Sequence, residues 1–187
     1  MSNYETEFKF LISNLPVKNF EKAKKYYIKQ TYFDGKSKLD ILGGLFSDVD
    51  FKMINTYRIR YVETDGEKKN ILTIKSSALP NGLSRVEEER EVSEEVAKSL
   101  VSDADTNTIV KNRYVDNYNG YNFEFDEYLN LNTKLFTVEV EVSSDVKYEE
   151  EVDQFIKMIN DHYGLECRDV TFDPVYKNSN LRKFFGR

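Results

Sequence analysis

Residues 56–76, TYRIRYVETDGEKKNILTIKS, decide the fold. In the first half Tyr57, Ile59 and Tyr61 alternate with Arg58 and Arg60; in the second, Leu72 and Ile74 alternate with Thr73 and Lys75. A side-chain period of two belongs to β-strands, so 56–63 and 69–76 are read as two strands. The Asp65-Gly66 pair between them supplies the positive backbone angles of a tight hairpin. Each strand then has one apolar face and one charged face.

The same alternation recurs along the chain. In 4–12, Tyr4, Phe8, Phe10 and Ile12 oppose Glu5, Glu7 and Lys9. Residues 83–92 carry Arg85, Glu87 and Glu89 on one parity, and 108–117 carry Lys111 and Arg113. After the Asn119-Gly120 turn, 121–129 set Glu124 and Asp126 against Phe123 and Phe125, and 135–143 set Glu139 and Glu141 against Val138, Val140 and Val142. With a short strand at 29–33 this makes about eight strands, many joined by tight turns, as in an antiparallel barrel. Helices are expected at 16–28, with Phe20, Ala23 and Tyr27 on one side, at 93–100 behind a Ser93 cap, and at 149–163 before Gly164. Residues 36–53, broken by Gly43 and Gly44, show no clear period. The expected fold is α+β: one domain, 1–187, a closed eight-stranded antiparallel barrel with flanking helices and an insertion around 36–53.

Taken strand by strand, the charges read most simply as the solvated face of a sheet. Over seven strands that reading weakens, because the charged parity carries both signs throughout. If the sheet closes, this parity lines a bore, where charges are costly unless paired or met by a ligand. Residues two apart on a strand stand roughly 6.5–7 Å from each other. Glu-x-Glu therefore offers two carboxylates to one site, and Arg-x-Arg two guanidiniums to one polyanion.

The net charge of −6 argues against a protein that coats nucleic acid. The one cysteine, Cys167, forms no intramolecular disulfide and completes no thiolate metal site, which favours a reducing compartment. The start of the chain lacks a signal-peptide pattern, and no stretch approaches membrane-spanning length, so the expectation is a cytoplasmic protein with no membrane partner. His162 is read as a surface or helix-end residue, and Cys167 as a small packing residue.

These strands, in this order, resemble the CYTH superfamily, also called triphosphate tunnel metalloenzymes. Glu5-Thr6-Glu7-Phe8-Lys9 resembles the family's Glu-x-Glu-x-Lys motif, Tyr57-Arg58-Ile59-Arg60 its Arg-x-Arg strand, and Leu72-Thr73-Ile74-Lys75 its Leu-Thr-x-Lys strand. Ser84-Arg85-Val86-Glu87-Glu88-Glu89 is similar to the Arg-x-Glu-x-Glu strand, and Val110-Lys111-Asn112-Arg113-Tyr114 to the Lys-x-Arg strand. Phe125-Asp126-Glu127-Tyr128 resembles the Asp strand, Val138-Glu139-Val140-Glu141 the closing Glu-x-Glu strand, and Tyr176-Lys177-Asn178-Ser179-Asn180-Leu181 a C-terminal family segment.

The resemblance implies a triphosphate ligand and a divalent metal, Mg²⁺ or Mn²⁺, held by Glu5, Glu7, Asp126, Glu139 and Glu141. Lys9, Arg58, Arg60, Lys75, Arg85, Lys111, Arg113 and Lys177 would surround the phosphates, and Glu87, Glu89, Lys9 and Lys111 would take part in catalysis. Ion pairing within the bore is the competing role for each. Three functions remain open. The first is a triphosphatase acting on inorganic triphosphate or a nucleoside or other organic triphosphate. The second is an adenylyl cyclase of the same fold, disfavoured by Thr31-Tyr32-Phe33 where family cyclases often carry His-Phe. The third is a module that captures a triphosphate or an RNA 5′ end without turnover. Tyr114 and Tyr176 are candidates to touch a base.

Overall fold

A computed structural model describes residues 3–78, 84–101, 107–142 and 147–186, residues 3–5 by their backbone alone. The Asp65-Gly66 and Asn119-Gly120 pairs form the expected turns: Asp65 and Gly66 have φ of 51° and 82°, Asn119 and Gly120 of 52° and 82°. Positive angles at both central residues suit the right-handed twist of the strands they join. The first pair links β3 (Ile54–Thr64) to β4 (Glu67–Ser76), the second β6 (Thr108–Tyr118) to β7 (Tyr121–Tyr128). With β1 (Asn3–Ile12), β2 (Lys24–Tyr32), β5 (Ser84–Val92) and β8 (Phe136–Val142) they form one antiparallel sheet in the order β5-β4-β3-β2-β6-β7-β8-β1. It closes where β1 meets β5, from Asn3 opposite Glu87 to Thr6 opposite Ser84. The Thr6 and Ser84 hydroxyls, both buried, bond at 2.6 Å across that seam. Eight strands thus make a closed barrel, and a short β9 (Cys167–Asp169) pairs with β1 beyond the seam.

Closure turns the charged parity inward, so the apolar parity must be covered from outside. Helix α3 (Tyr148–Tyr163) lays Phe155, Ile159 and Tyr163 on Phe8, Phe10, Phe123, Phe125, Val138 and Val140. Three glutamates in its first turn complement the helix dipole, and Gly164, at φ 66°, closes it. On the far side α1 (Leu39–Leu45) and α2 (Glu94–Leu100) cover Tyr57, Ile59, Leu72 and Ile74 with Leu42, Leu100 and the following Phe46. Ser93 caps α2 by accepting from the Val96 amide. Among the described residues no helix is long and apolar enough to cross a membrane.

The helix expected at 16–28 does not form. A single 3₁₀ turn, Val17–Asn19, leads into β2, which begins at Lys24. Tyr26, Ile28 and Gln30 lie opposite Arg113, Lys111 and Ile109 on β6, and Tyr32 lies opposite Arg58 on β3, so this parity faces inward. Lys25, Tyr27 and Lys29 are exposed on the other. Phe20 packs its ring on Tyr114, centroids 4.6 Å apart. The stretch without a clear period holds a 3₁₀ turn, Gly35–Lys38, followed by α1, and its buried residues Leu42 and Phe46 belong to the outer core. Gly35 is fixed by a close approach, since a Cβ there would stand 2.2 Å from the Tyr57 ring. Gly35→Ala will cost about 1–3 kcal/mol through overpacking, seen as a lowered denaturation midpoint with an unchanged slope. A third Asx-Gly pair of the sequence, Asn81-Gly82, where a turn is also expected, lies outside the described residues.

Candidate polyanion and metal site

The inward parity encloses a cavity of about 1010 Å³ whose wall includes Glu7, Lys9, Arg58, Arg60, Lys75, Arg85, Glu87, Glu89, Lys111, Arg113, Glu124, Glu139, Glu141 and Lys177. Hairpin β3–β4 and strand β5 build one side. Arg58 Nη2 donates to Thr73 Oγ1 at 3.1 Å and lies 3.4 Å from both Glu87 Oε1 and Glu89 Oε1. Arg60 pairs with Glu89, and Lys75 Nζ meets Glu87 Oε2 at 3.1 Å. Burial and the neighbouring Arg58 lower the Arg60 pKa against the pull of Glu89. Burial works against the Glu89 charge, but Arg60, the Thr73 hydroxyl and Arg58 prevail and hold its pKa below the ordinary value.

The opposite side comes from β6, β7, β8 and β1 and is more deeply buried. Asp126, fully buried, accepts from Arg113 Nε at 2.7 Å and Nη2 at 2.6 Å, and from Lys111 Nζ at 2.6 Å. Arg113 also pairs with Glu124 and Glu139. Lys9 Nζ lies 2.9 Å from Glu139 Oε1. Burial opposes the charge on Lys9, yet Glu139 and the Tyr128 oxygen outweigh it and raise the pKa. Glu139 is likewise held well below the carboxylate range by Lys9, Arg113 and Lys111 despite its burial. Lys111 goes the other way, to about 8, because burial and Arg113 together outweigh Asp126 and Glu139.

Two carboxylates face each other across the β1–β8 ladder. Glu7 on β1 is directly opposite Glu141 on β8, and both line the cavity. Like charges so placed repel, and an oxygen-donor pair of this kind is chemically suited to a hard divalent cation. Glu139 is one step along the same ladder, opposite Lys9. Among the described residues no three acidic, histidine or cysteine side chains are grouped as a ready metal centre. The side chain of Glu5 lies outside the described residues; its backbone pairs with Arg85.

The barrel therefore brings most of the residues singled out in the sequence to one wall. Asp126 is placed differently, behind Lys111 and Arg113 as their common acceptor rather than on the cavity wall. Tyr176 is on the wall, whereas Tyr114 is on the outside beneath Phe20. His162 is exposed and stacks on Tyr118, and burial next to Asp169 pushes the Cys167 thiol up to about 11, far from a reactive thiolate. Sequence reasoning missed Gln30, Tyr32 and Asn178. The first two follow from the β2 parity once that segment is read as a strand. Asn178 belongs to the C-terminal segment 176–181 that resembles the family, but nothing local in the sequence shows that it reaches Lys9 and Glu139.

The comparisons fall in line with this architecture. No curated protein matches the sequence. Among solved structures, a candidate adenylyl cyclase from Hippeastrum, described as revealing a dominant triphosphatase activity, is 18% identical, with 87% of this chain and 90% of that one covered at a TM-score of 0.55. A hypothetical protein from Pyrococcus furiosus is 23% identical, covering 87% and 91% at 0.54. A candidate adenylate cyclase from Bacillus halodurans is 18% identical, covering 86% and 89% at 0.52. At such identities the likeness speaks for the fold. The CYTH domain model matches residues 3–174, from the first strand of the barrel to the segment that follows β9, and the chain belongs to the CYTH family.

Proposed function

We propose that the protein is a divalent-metal-dependent triphosphatase, a single cytoplasmic domain that hydrolyses inorganic triphosphate or a nucleoside or other organic triphosphate inside the barrel. The observation that carries this reading is the convergence of Arg58, Arg60, Lys75, Arg85 and Arg113 with the facing Glu7–Glu141 pair in one cavity. In phosphoryl transfer the protein mainly positions groups and stabilises charge, so fixed cations around a polyanion are the expected complement.

Glu7 and Glu141, with Glu139 and Glu5 beside them in sequence, would hold Mg²⁺ or Mn²⁺, which when bound neutralises phosphate charge and polarises the phosphoryl group. Arg58, Arg60 and Lys75 bind phosphate oxygens from one side and Arg113 and Lys111 from the other. Lys177, at the exposed rim, meets the incoming anion. Asp126 fixes Lys111 and Arg113 rather than meeting the ligand. Glu87 and Glu89 pair with Arg58, Arg60 and Lys75 and, once phosphate takes their place, would orient water at the terminal phosphorus. Water adds there as the bridging P–O bond breaks, and diphosphate or a nucleoside diphosphate leaves. A carboxylate of Glu87 or Glu89 would take the water proton, while Lys111, an ammonium held by Asp126, keeps to the phosphate oxygens.

A cyclase would instead release pyrophosphate and a cyclic nucleotide, and a capture module would release nothing. Purified protein with Mg²⁺ or Mn²⁺ will be offered triphosphate, ATP, thiamine triphosphate and triphosphorylated RNA, and the products separated. Orthophosphate release supports the reading. Cyclic nucleotide formation, or tight binding without products, overturns it in favour of one or other alternative. The dominant triphosphatase activity described for the Hippeastrum relative favours the first outcome.

A further inference from the structure

Asn178 lies past residue 174, where the family match ends, yet its side chain reaches the buried side of the cavity. Its Oδ1 accepts from Tyr128 Oη at 2.7 Å and from Lys9 Nζ at 3.2 Å, and its Nδ2 donates to Glu139 Oε1 at 3.3 Å. These partners fix the orientation of the amide, because only the oxygen accepts from an ammonium and only the nitrogen donates to a carboxylate. Lys9 Nζ in turn has three acceptors, Glu139 Oε1 at 2.9 Å, Asn178 Oδ1 and, at 3.4 Å, Tyr128 Oη. An ammonium has three N–H groups, so each has an acceptor within reach.

The segment that carries Asn178 is tied to the barrel on both sides of it. The Val170 amide bonds to the Lys9 carbonyl, and Thr171 Oγ1 accepts from the Lys9 amide. Asn107 Nδ2 holds the Ser179 carbonyl at 2.9 Å, and Leu181, fully buried, opens the short helix α4 (Leu181–Phe185). Arg182 bonds to the Asn130 carbonyl at 2.9 Å. The amide is thus held by a docked segment, and it bridges β1 and β8 at the level of the Lys9–Glu139 pair.

We propose that Asn178 is a positioning residue, which holds the Lys9 ammonium and the Glu139 carboxylate in one geometry without itself meeting the ligand. Lys9 is then kept extended along the wall rather than folded onto Glu139 alone. The consequence for turnover rests on the triphosphatase reading; the geometry of Lys9 does not.

Two measurements test it. In full-length protein labelled with nitrogen-15 on lysine, the Lys9 ammonium, assigned by its loss in Lys9→Met, will give a slowly exchanging signal. Asn178→Ala will broaden it or remove it, whereas Asn178→Asp, which keeps an acceptor for Lys9, will retain it. In turnover of triphosphate, Asn178→Ala will lower kcat by about ten- to a hundredfold with KM within about twofold, in the range seen when a group supporting a metal-site ligand is removed. Lys9 exchange that is equally fast in parent and Asn178→Ala overturns the inference, as does a KM that rises in step with any loss of rate. If the parent hydrolyses no triphosphate, the functional reading fails and the ammonium comparison alone decides the role of Asn178.

Discussion

Glu139→Gln will lower the stability of the ligand-free protein by about 3–5 kcal/mol at pH 7, the cost of removing one partner from a buried ion pair. Glu139 is only 4% exposed and sits between Lys9 and Arg113. The glutamine keeps the shape but leaves Lys9 without its nearest counter-charge. The loss depends on pH with a definite sign. The folded pKa of Glu139 lies below its ordinary 4.5, so the carboxylate's contribution is present above about pH 4.5 and fades as the pH falls through the folded value. Denaturant unfolding from pH 7 downward will therefore show the gap between parent and variant closing on the acid side. A gap of constant size would mean that the ionised carboxylate is not what stabilises this wall.

Arg60→Ala should have the opposite character, with little effect on the empty protein and a large one on ligand binding. Arg60 is half-buried; burial and the neighbouring Arg58 lower its pKa, and its Nε has no hydrogen-bond partner among the described residues. Removing it relieves repulsion, and Glu89 keeps Arg58 and Thr73. The ligand-free variant will match the parent within about 1 kcal/mol or exceed it. A ligand at a hundred times its dissociation constant stabilises a protein by about 2.7 kcal/mol. A loss of about tenfold or more in triphosphate affinity would remove about half of this. Thermal melting across a triphosphate titration, at matched metal and salt, reads the difference. Equal stabilisation of parent and variant would place Arg60 away from the ligand.

The barrel was legible because alternation survives in strands with two unlike faces. Arg58 and Arg60 against Tyr57 and Ile59 fix the register of β3, and a slip by one residue would put guanidiniums into the outer core. Segment 16–28 was misread for a physical reason. Phe20, Ala23 and Tyr27 fall at helical spacing, but the outward parity of β2 is mostly solvated, with Lys25, Tyr27 and Lys29 exposed and Thr31 buried. Its inward residues, Tyr26, Ile28, Gln30 and Tyr32, carry no charge, and the charged parity that marked the other strands is missing. The short C-terminal elements β9 and α4 are set by contacts with distant parts of the barrel rather than by local pattern. The segment 176–181 is recognisable in the sequence, but the contacts of Asn178 with Lys9 and Glu139 depend on that docking.

Parity likewise brought the cavity's charges together but could not rank them. Asp126 and Glu139 share the inward parity of adjacent strands, yet Asp126 lies behind two cations while Glu139 stays on the wall. The distinction depends on side-chain reach across β6, β7 and β8, which the sequence does not encode locally.

A crystal structure of the protein with Mn²⁺ and a non-hydrolysable triphosphate analogue will show an anomalous manganese peak at the Glu7 and Glu141 carboxylates, with phosphate oxygens against Arg58, Arg60 and Arg113 inside the barrel, if the barrel is a metal-dependent triphosphate site. Manganese and phosphates bound elsewhere, with the ion pairs Arg60–Glu89 and Arg113–Glu139 undisturbed and the cavity holding only water, would contradict that reading.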